Sequence, residues 1–264
     1  MKLAISGKGG VGKTTLAALL AQVYADAGRD VLAVDADPAP CLAGALGFPG
    51  ELRAKLRPIA EMDDLIEERT GAKPGTTGGF FRLNPRVDDI PERFSVRHRN
   101  VRLLEMGAVD LGGSGCICPE SAMLKALFTH LLFRKDEVLI LDMYAGVEHL
   151  GRATVDFVDA MAIVVEPTRR SLGTAAQIKK LANDIGLVRL WLVGNKVRNA
   201  DETAFLEAET PGIPLLGVLP ADLAVQEADR LGIPVYDHVP ALREAAEQIA
   251  HRLEAEINVE TKRV

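Results

Sequence analysis

The chain has 264 residues, 31 Lys plus Arg against 37 Asp plus Glu, a formal net charge of −6, 48% hydrophobic residues and three cysteines. Three cysteines are too few for a disulfide framework, and the only apolar run near the N-terminus, Leu3 to Ile5, is too short for the core of a secretory signal. No apolar stretch approaches the length of a membrane span, and a mildly acidic balance argues against a coat of positive charge for nucleic acid. The expectation is a cytoplasmic protein with reduced thiols, no membrane partner and no nucleic-acid partner.

The first element is a short apolar run, Leu3 to Ser6, and six more follow: Val31 to Asp35, Val101 to Met106, Val138 to Asp142, Ala160 to Val165, Arg189 to Val193 and Pro214 to Leu219. Continuous rather than alternating apolar runs predict strands covered on both faces, as in a parallel sheet. Helical patterns lie between most of them. Thr14 to Ala27 stops at Gly28 and Ser171 to Ile185 stops at Gly186, each glycine suited to the left-handed residue that closes a helix. The alternation predicts an α/β fold, a mostly parallel central sheet of about seven or eight strands flanked by helices. Residues 48–100 break the rhythm with Pro49, Pro58, Pro74, Pro85 and Pro91 and show no apolar core of their own. They are expected to form an insertion on a single domain spanning 1–264, one that could recognise a partner.

Between the first run and the first helix stands Gly7-Lys8-Gly9-Gly10-Val11-Gly12-Lys13-Thr14-Thr15. The glycines let the backbone turn its amides inward, and the helix N-terminus adds positive partial charge. Lys13 can reach the outer phosphates, and the Thr14 hydroxyl can hold Mg²⁺. The same letters contain Gly7-x-Gly9-x-x-Gly12, with Asp35 at a ribose-binding distance, which is a dinucleotide pattern. Lys13 and Thr14 favour the triphosphate, because a dinucleotide needs neither an ammonium nor a hydroxyl there.

Two strand ends carry acids. Val31 to Val34 leads into Asp35-Ala36-Asp37-Pro38, and Val138 to Leu141 ends in Asp142, the position from which a carboxylate contacts Mg²⁺ at the carboxyl end of a parallel strand. Asp37 could equally serve a strand-ending turn. Val193-Gly194-Asn195-Lys196 ends another strand, and Pro220-Ala221-Asp222 follows the last one. The guanine motif Asn-Lys-x-Asp fails at Arg198.

A second motif, Gly115-Cys116-Ile117-Cys118-Pro119, precedes another helix. Pro119 suits the first helical position and makes Cys118 the expected N-cap; a helix N-terminus favours thiolate, the metal-binding form. Two thiolates leave a tetrahedral site half filled, and a two-fold dimer would supply the other two. Three readings stand: a Ni²⁺ or Zn²⁺ site shared between two subunits through Cys116 and Cys118, a redox pair, or small buried residues. Cys41 stands alone and is expected to be packed.

Lys8 is not required for cradling phosphates within one subunit. With it, Lys8-Gly9-Gly10-Val11-Gly12-Lys13-Thr14 resembles the deviant Walker A loop of the MinD and ParA-type P-loop ATPases, relatives of the nitrogenase iron protein. The resemblance implies an ATPase that binds ATP or ADP with Mg²⁺ and forms a homodimer, with Lys8 reaching the partner's nucleotide. It also implies that Asp37 orients the attacking water in the first switch, that Asp142 with Gly146 begins the second, and that Asn195, Pro220 and Asp222 contact adenine. The addition of the Cys-x-Cys loop is similar to one branch, the accessory ATPases that insert nickel into carbon monoxide dehydrogenase. That branch implies apo carbon monoxide dehydrogenase, or a related nickel enzyme, as the partner. The iron protein's second cluster cysteine has no counterpart between Asp142 and Gly151, which disfavours an iron–sulfur electron-transfer or cluster-carrier role. The C-terminal stretch Val239 to Ile257 has no aromatic residue and no basic excess, which disfavours a positioning ATPase tethered to a membrane. His149 is read as a solvated residue.

Overall fold

The computed structural model describes residues 1–75, 80–107, 118–134, 137–144 and 158–261, the side chains of the last helix as far as 257. Its strands are β1 (Lys2–Gly7), β2 (Val31–Ala36), β3 (Val96–His98), β4 (Val101–Glu105), β5 (Val138–Met143), β6 (Ala160–Val165), β7 (Leu190–Val197) and β8 (Leu215–Pro220). They form one sheet in the order β3-β4-β2-β5-β1-β6-β7-β8. Every neighbouring pair is parallel except β3 with β4. The seven apolar runs of the sequence are the seven parallel strands. The eighth strand, β3, has only three half-buried or exposed residues, so no apolar run marked it.

The helices are α1 (Lys13–Asp26), α2 (Leu42–Ala45), α3 (Gly50–Arg53), α4 (Asp63–Thr70), α5 (Ile90–Phe94), α6 (Pro119–Phe133), α7 (Arg169–Ile185), α8 (Ala200–Glu209), α9 (Ala224–Leu231), α10 (Val235–His238) and α11 (Pro240–Thr261). Gly28 follows α1 at φ 76° and Gly186 ends α7 at φ 93°, the left-handed geometry that glycine adopts without a steric cost.

The apolar runs are unbroken because the sheet is covered on both sides. Leu32 and Val34 of β2, Leu139 and Leu141 of β5, and Ala4 of β1 face a core shared with α6 and α7. Their alternates Val31, Ala33, Val138, Ile140, Leu3 and Ile5 face a core built on α1 and α11. The apolar stripe of α11, Leu242, Ala246, Ile249 and Leu253, is consumed in this second core. Ile249 lies so close to Gly217 of β8 that a Cβ there would stand 2.6 Å from its Cγ1.

The segment 48–100 contributes Ile59, Met62, Leu65, Ile66, Val87 and Ile90 to the first core, where they meet Met123, Leu124, Leu127 and Phe128 of α6. At the end of the sheet away from the phosphate loop, the buried carboxylate of Glu137 is held between Arg102 of β4 and Arg134 after α6. Among the described residues no helix is long and apolar enough to cross a membrane.

Candidate functional site

β1 stands near the middle of the sheet, with β5, β2, β4 and β3 on one side and β6, β7 and β8 on the other. The crevice at the carboxyl ends of such strands is where open α/β sheets bind ligands, and the loop 8–12 crosses it. Gly7 leaves β1 at φ 151°, and a Cβ there would sit 2.5 Å from the Val164 carbonyl oxygen. Gly12 caps α1 at φ 98°, and its missing side chain makes room for Asn195, whose Nδ2 would be 2.1 Å from a Cβ. Lys8, Gly9 and Gly10 are exposed, and Val11 is buried. The Lys8 carbonyl accepts from the Val11 amide at 3.3 Å and from Lys13 Nζ at 3.5 Å, so the loop folds back over its own buried lysine.

Three acids lie in register across β4, β2 and β5: Glu105 opposite Asp35, and Asp35 opposite Asp142. Asp142 is 1% exposed, and its Oδ2 accepts a 2.6 Å hydrogen bond from the Thr14 hydroxyl. Its Oδ1 is buried with no hydrogen-bond partner among the described residues. Burial is the main reason its pKa is pushed up to about 7; Asp35 adds to the rise, while the Thr14 hydroxyl and the Lys13 ammonium oppose it. Two oxygens gathered beside a helix N-terminus, one of them unsatisfied, suit a hard cation with oxygen ligands.

Asp35, fully buried, accepts from the amides of Asp37 at 3.1 Å, Cys41 at 2.9 Å and Leu42 at 2.9 Å. It therefore holds the whole turn from β2 into α2. Burial raises its pKa, and the three amides partly offset that. Asp37 is half-buried at the crevice, its Oδ1 accepting from the Ala39 amide at 2.9 Å. The sequence pointed to both carboxylates; only the folded turn shows that one anchors and the other is presented.

Asn195 is buried at the end of β7. Its Nδ2 donates to the Val11 carbonyl at 2.7 Å, and its Oδ1 accepts from the Lys196 amide at 2.9 Å. Its carboxamide thus grips the phosphate loop itself. Pro220 ends β8, and the exposed Asp222 accepts from the Ala224 amide at 2.8 Å to start α9. A cavity of about 700 Å³ opens beside Thr14 and Thr15 and is walled by Phe48, Val225, Gln226 and Asp229 among others. Those four residues were not singled out in the sequence. The signal that could have found the last three is their spacing on the helix that follows Asp222, which turns one face toward Thr15.

Cys118 caps α6: its Sγ accepts from the Ser121 amide at 3.5 Å and lies 3.0 Å from Ser121 Oγ. Cys116, the partner expected of it, lies outside the described residues, as do Gly146 and His149. Cys41 departs from expectation. It is exposed rather than packed, with Sγ 3.4 Å from Thr14 Oγ1, because Asp35 binds the Cys41 amide and fixes the residue at the N-terminus of α2, outside the core. Desolvation there pushes its thiol pKa up, with Asp35 and Asp142 adding to the rise and the Thr14 hydroxyl opposing it.

Residues 2–235 match the CobQ/CobB/MinD/ParA nucleotide binding domain. Over 246 residues the chain is 48% identical to the carbon monoxide dehydrogenase accessory protein CooC of Rhodospirillum rubrum, covering 93% of each chain. An ATP-binding protein of Methanocaldococcus jannaschii is also 48% identical, over 89% of this chain and 91% of its own. In the solved MinC:MinD cell division complex of Aquifex aeolicus, a chain superposes with a TM-score of 0.68 at 21% identity, covering 96% of this chain and 95% of that one, which shows the shared fold. The chain therefore belongs to the CobQ/CobB/MinD/ParA nucleotide-binding family and is an ATPase.

Proposed function

We propose that this ATPase is a metallochaperone that dimerises around nucleotide, carries Ni²⁺ or Zn²⁺ as cargo between Cys116 and Cys118 of two protomers, and assists nickel insertion into carbon monoxide dehydrogenase or a related nickel enzyme. The observation that carries the reading is the near full-length 48% identity to a carbon monoxide dehydrogenase accessory protein, joined to a Cys-x-Cys whose second thiol sits at a helix N-terminus.

In this reading the backbone amides of Gly9 to Thr15 surround the phosphates and Lys13 neutralises their charge. The Thr14 hydroxyl and Asp142 would hold Mg²⁺, which suits the pair because Asp142 Oδ1 has no partner among the described residues. Magnesium, when bound, offsets charge on the β- and γ-phosphates. Asp37, presented by the Asp35-anchored turn, orients the attacking water. The exposed Lys8 reaches the partner's nucleotide, and the base occupies the cavity between Thr15 and α9; Asn195, Pro220 and Asp222 are its proposed further contacts, although none of the three lines that cavity. Cys118 caps α6, the helix that precedes β5 in the chain, so the cargo thiol and Asp142 belong to consecutive elements.

The test is metal content. The wild type loaded with Ni²⁺ or Zn²⁺ is expected to retain about one ion per dimer, as four thiolates in one tetrahedral site require. Cys116→Ala and Cys118→Ala should each lose it, while Cys41→Ala keeps it. Unchanged metal in both motif variants would overturn the proposal, and visible cluster absorption in anaerobically purified protein would replace it with an iron–sulfur role.

A further inference from the structure

Side chains alternate along a strand, so two consecutive residues of β7 should not face the same neighbour. Asn195 and Lys196 do. Asn195 Nδ2 donates to the Val11 carbonyl at 2.7 Å, and Lys196 Nζ donates to the Gly10 carbonyl at 3.0 Å. The backbone explains how. The register between β7 and β8 slips between Gly194 and Val197, and Lys196 adopts a left-handed φ of 58°. A bulge of this kind re-aims a side chain, and a non-glycine residue holds such a conformation only where its surroundings compensate it. Gly194 is a requirement of the same bend: a Cβ on it would stand 2.6 Å from Leu206 Cδ1 and 3.0 Å from Val218 Cγ1.

The Lys196 ammonium has a second partner, the Glu166 carboxylate after β6. Glu166 is placed in turn by its own amide, which donates to Ser171 Oγ at 3.0 Å in the first turn of α7. Two neighbouring carbonyls of the phosphate loop, Gly10 and Val11, are therefore each held by a side chain from the end of β7. A carbonyl drawn toward β7 turns the peptide's N–H the other way. For the peptides that follow Gly10 and Val11, those are the amides of Val11, which donates to the Lys8 carbonyl at 3.3 Å and closes the turn of the loop, and of Gly12, which opens α1.

We infer that Lys196, clamped by Glu166, is a positioning residue for ATP binding: it holds the Gly10 carbonyl and so fixes the Lys8-to-Val11 turn, setting the shape of the phosphate loop before the nucleotide arrives. Lys196 touches the loop and not the reacting atoms. The inference rests on residues 8–15 being the phosphate site. Its energetic scale is that of one charge-assisted hydrogen bond to a loop carbonyl, tempered by exposure of the lysine.

The test compares Lys196→Met, Lys196→Gly and Lys196→Arg in the full-length chain, measuring the affinity for a fluorescent ATP analogue with Mg²⁺ and the steady-state ATPase. Lys196→Met is expected to weaken nucleotide binding about five- to tenfold with kcat within about twofold. Lys196→Gly, which accepts the left-handed backbone, should lose affinity to the same extent and so separate the ammonium from the strain. Lys196→Arg should recover most of the loss. Glu166→Gln should weaken binding less, and add nothing when combined with Lys196→Met. Unchanged affinity in Lys196→Met and Lys196→Gly would overturn the inference, as would a fall in kcat at unchanged affinity, and full additivity with Glu166→Gln would overturn the clamp. Lys13→Ala is the control: if it binds nucleotide as the wild type does, the phosphate-loop reading falls; if it does not and Lys196→Met does, only the present inference falls.

Discussion

Replacing Asp142 by asparagine is expected to lower the Mg²⁺-dependent ATPase by roughly 100- to 1,000-fold while making the nucleotide-free protein more stable at alkaline pH. The loss follows from the several kcal/mol that a bound metal ion contributes to phosphoryl transfer. The gain follows from burial. The folded-state pKa of Asp142, about 7, lies above its ordinary 3.8. Between those values the folded protein binds a proton that the unfolded chain has released, so this group's contribution to stability is complete at low pH and is lost as pH rises through about 7. Asparagine keeps the shape and never ionises. Thermal melts without Mg²⁺ should show the wild type losing several degrees relative to Asp142→Asn between pH 5.5 and 8, about 2–4 °C for each kcal/mol in a domain of this size. Mg²⁺ with nucleotide should erase the difference in favour of the wild type if Asp142 holds the cation as proposed. Parallel pH profiles for the two proteins would show that Asp142 is not the strained acid of the site.

Asp35→Ala should cost about 3–5 kcal/mol of stability and release the turn that presents Asp37. Three amides, those of Asp37, Cys41 and Leu42, depend on this one carboxylate, and each buried donor left without a partner costs about 1–3 kcal/mol. The Leu42 bond is fully buried, and the other two are partly so, which places the sum toward the lower part of that range. Urea unfolding would measure the loss directly. Asp35→Asn keeps one acceptor oxygen, leaves at least one amide without its carboxylate, and should fall between the wild type and alanine. Because Asp37 is held in place through this turn, kcat is expected to fall in both variants with the smaller change in KM. An alanine variant as stable as the wild type would show that water replaces the carboxylate at no cost.

Much of this protein is legible in its letters, for a local reason. A strand buried on both faces must be apolar at every position, so the seven parallel strands stand out as seven unbroken runs. Phosphate binding depends on consecutive backbone amides and a helix start, so Gly7 to Thr15 lies in one short stretch. The Cys118 cap was equally visible, because a cap and the Pro119 that follows it are sequence neighbours.

What the tertiary structure decided are relations between residues far apart in the chain. β3 was invisible because three residues at the sheet edge need no apolar pattern. Cys41 looked like a small packed residue, yet Asp35 binds its amide and leaves its thiol beside Thr14. The same fold divides labour between similar residues: Asp35 anchors while Asp37 is presented, and Asn195 and Lys196 both serve the phosphate loop because a bulge breaks the alternation of β7. Sequence alone determined which chemistry is present, since hydrogen-bonding groups and charges are written residue by residue. Only the packing of the strands decided which of them meet, because register across the sheet sets Glu105 beside Asp35 and Asp35 beside Asp142, and register is a property of the whole fold.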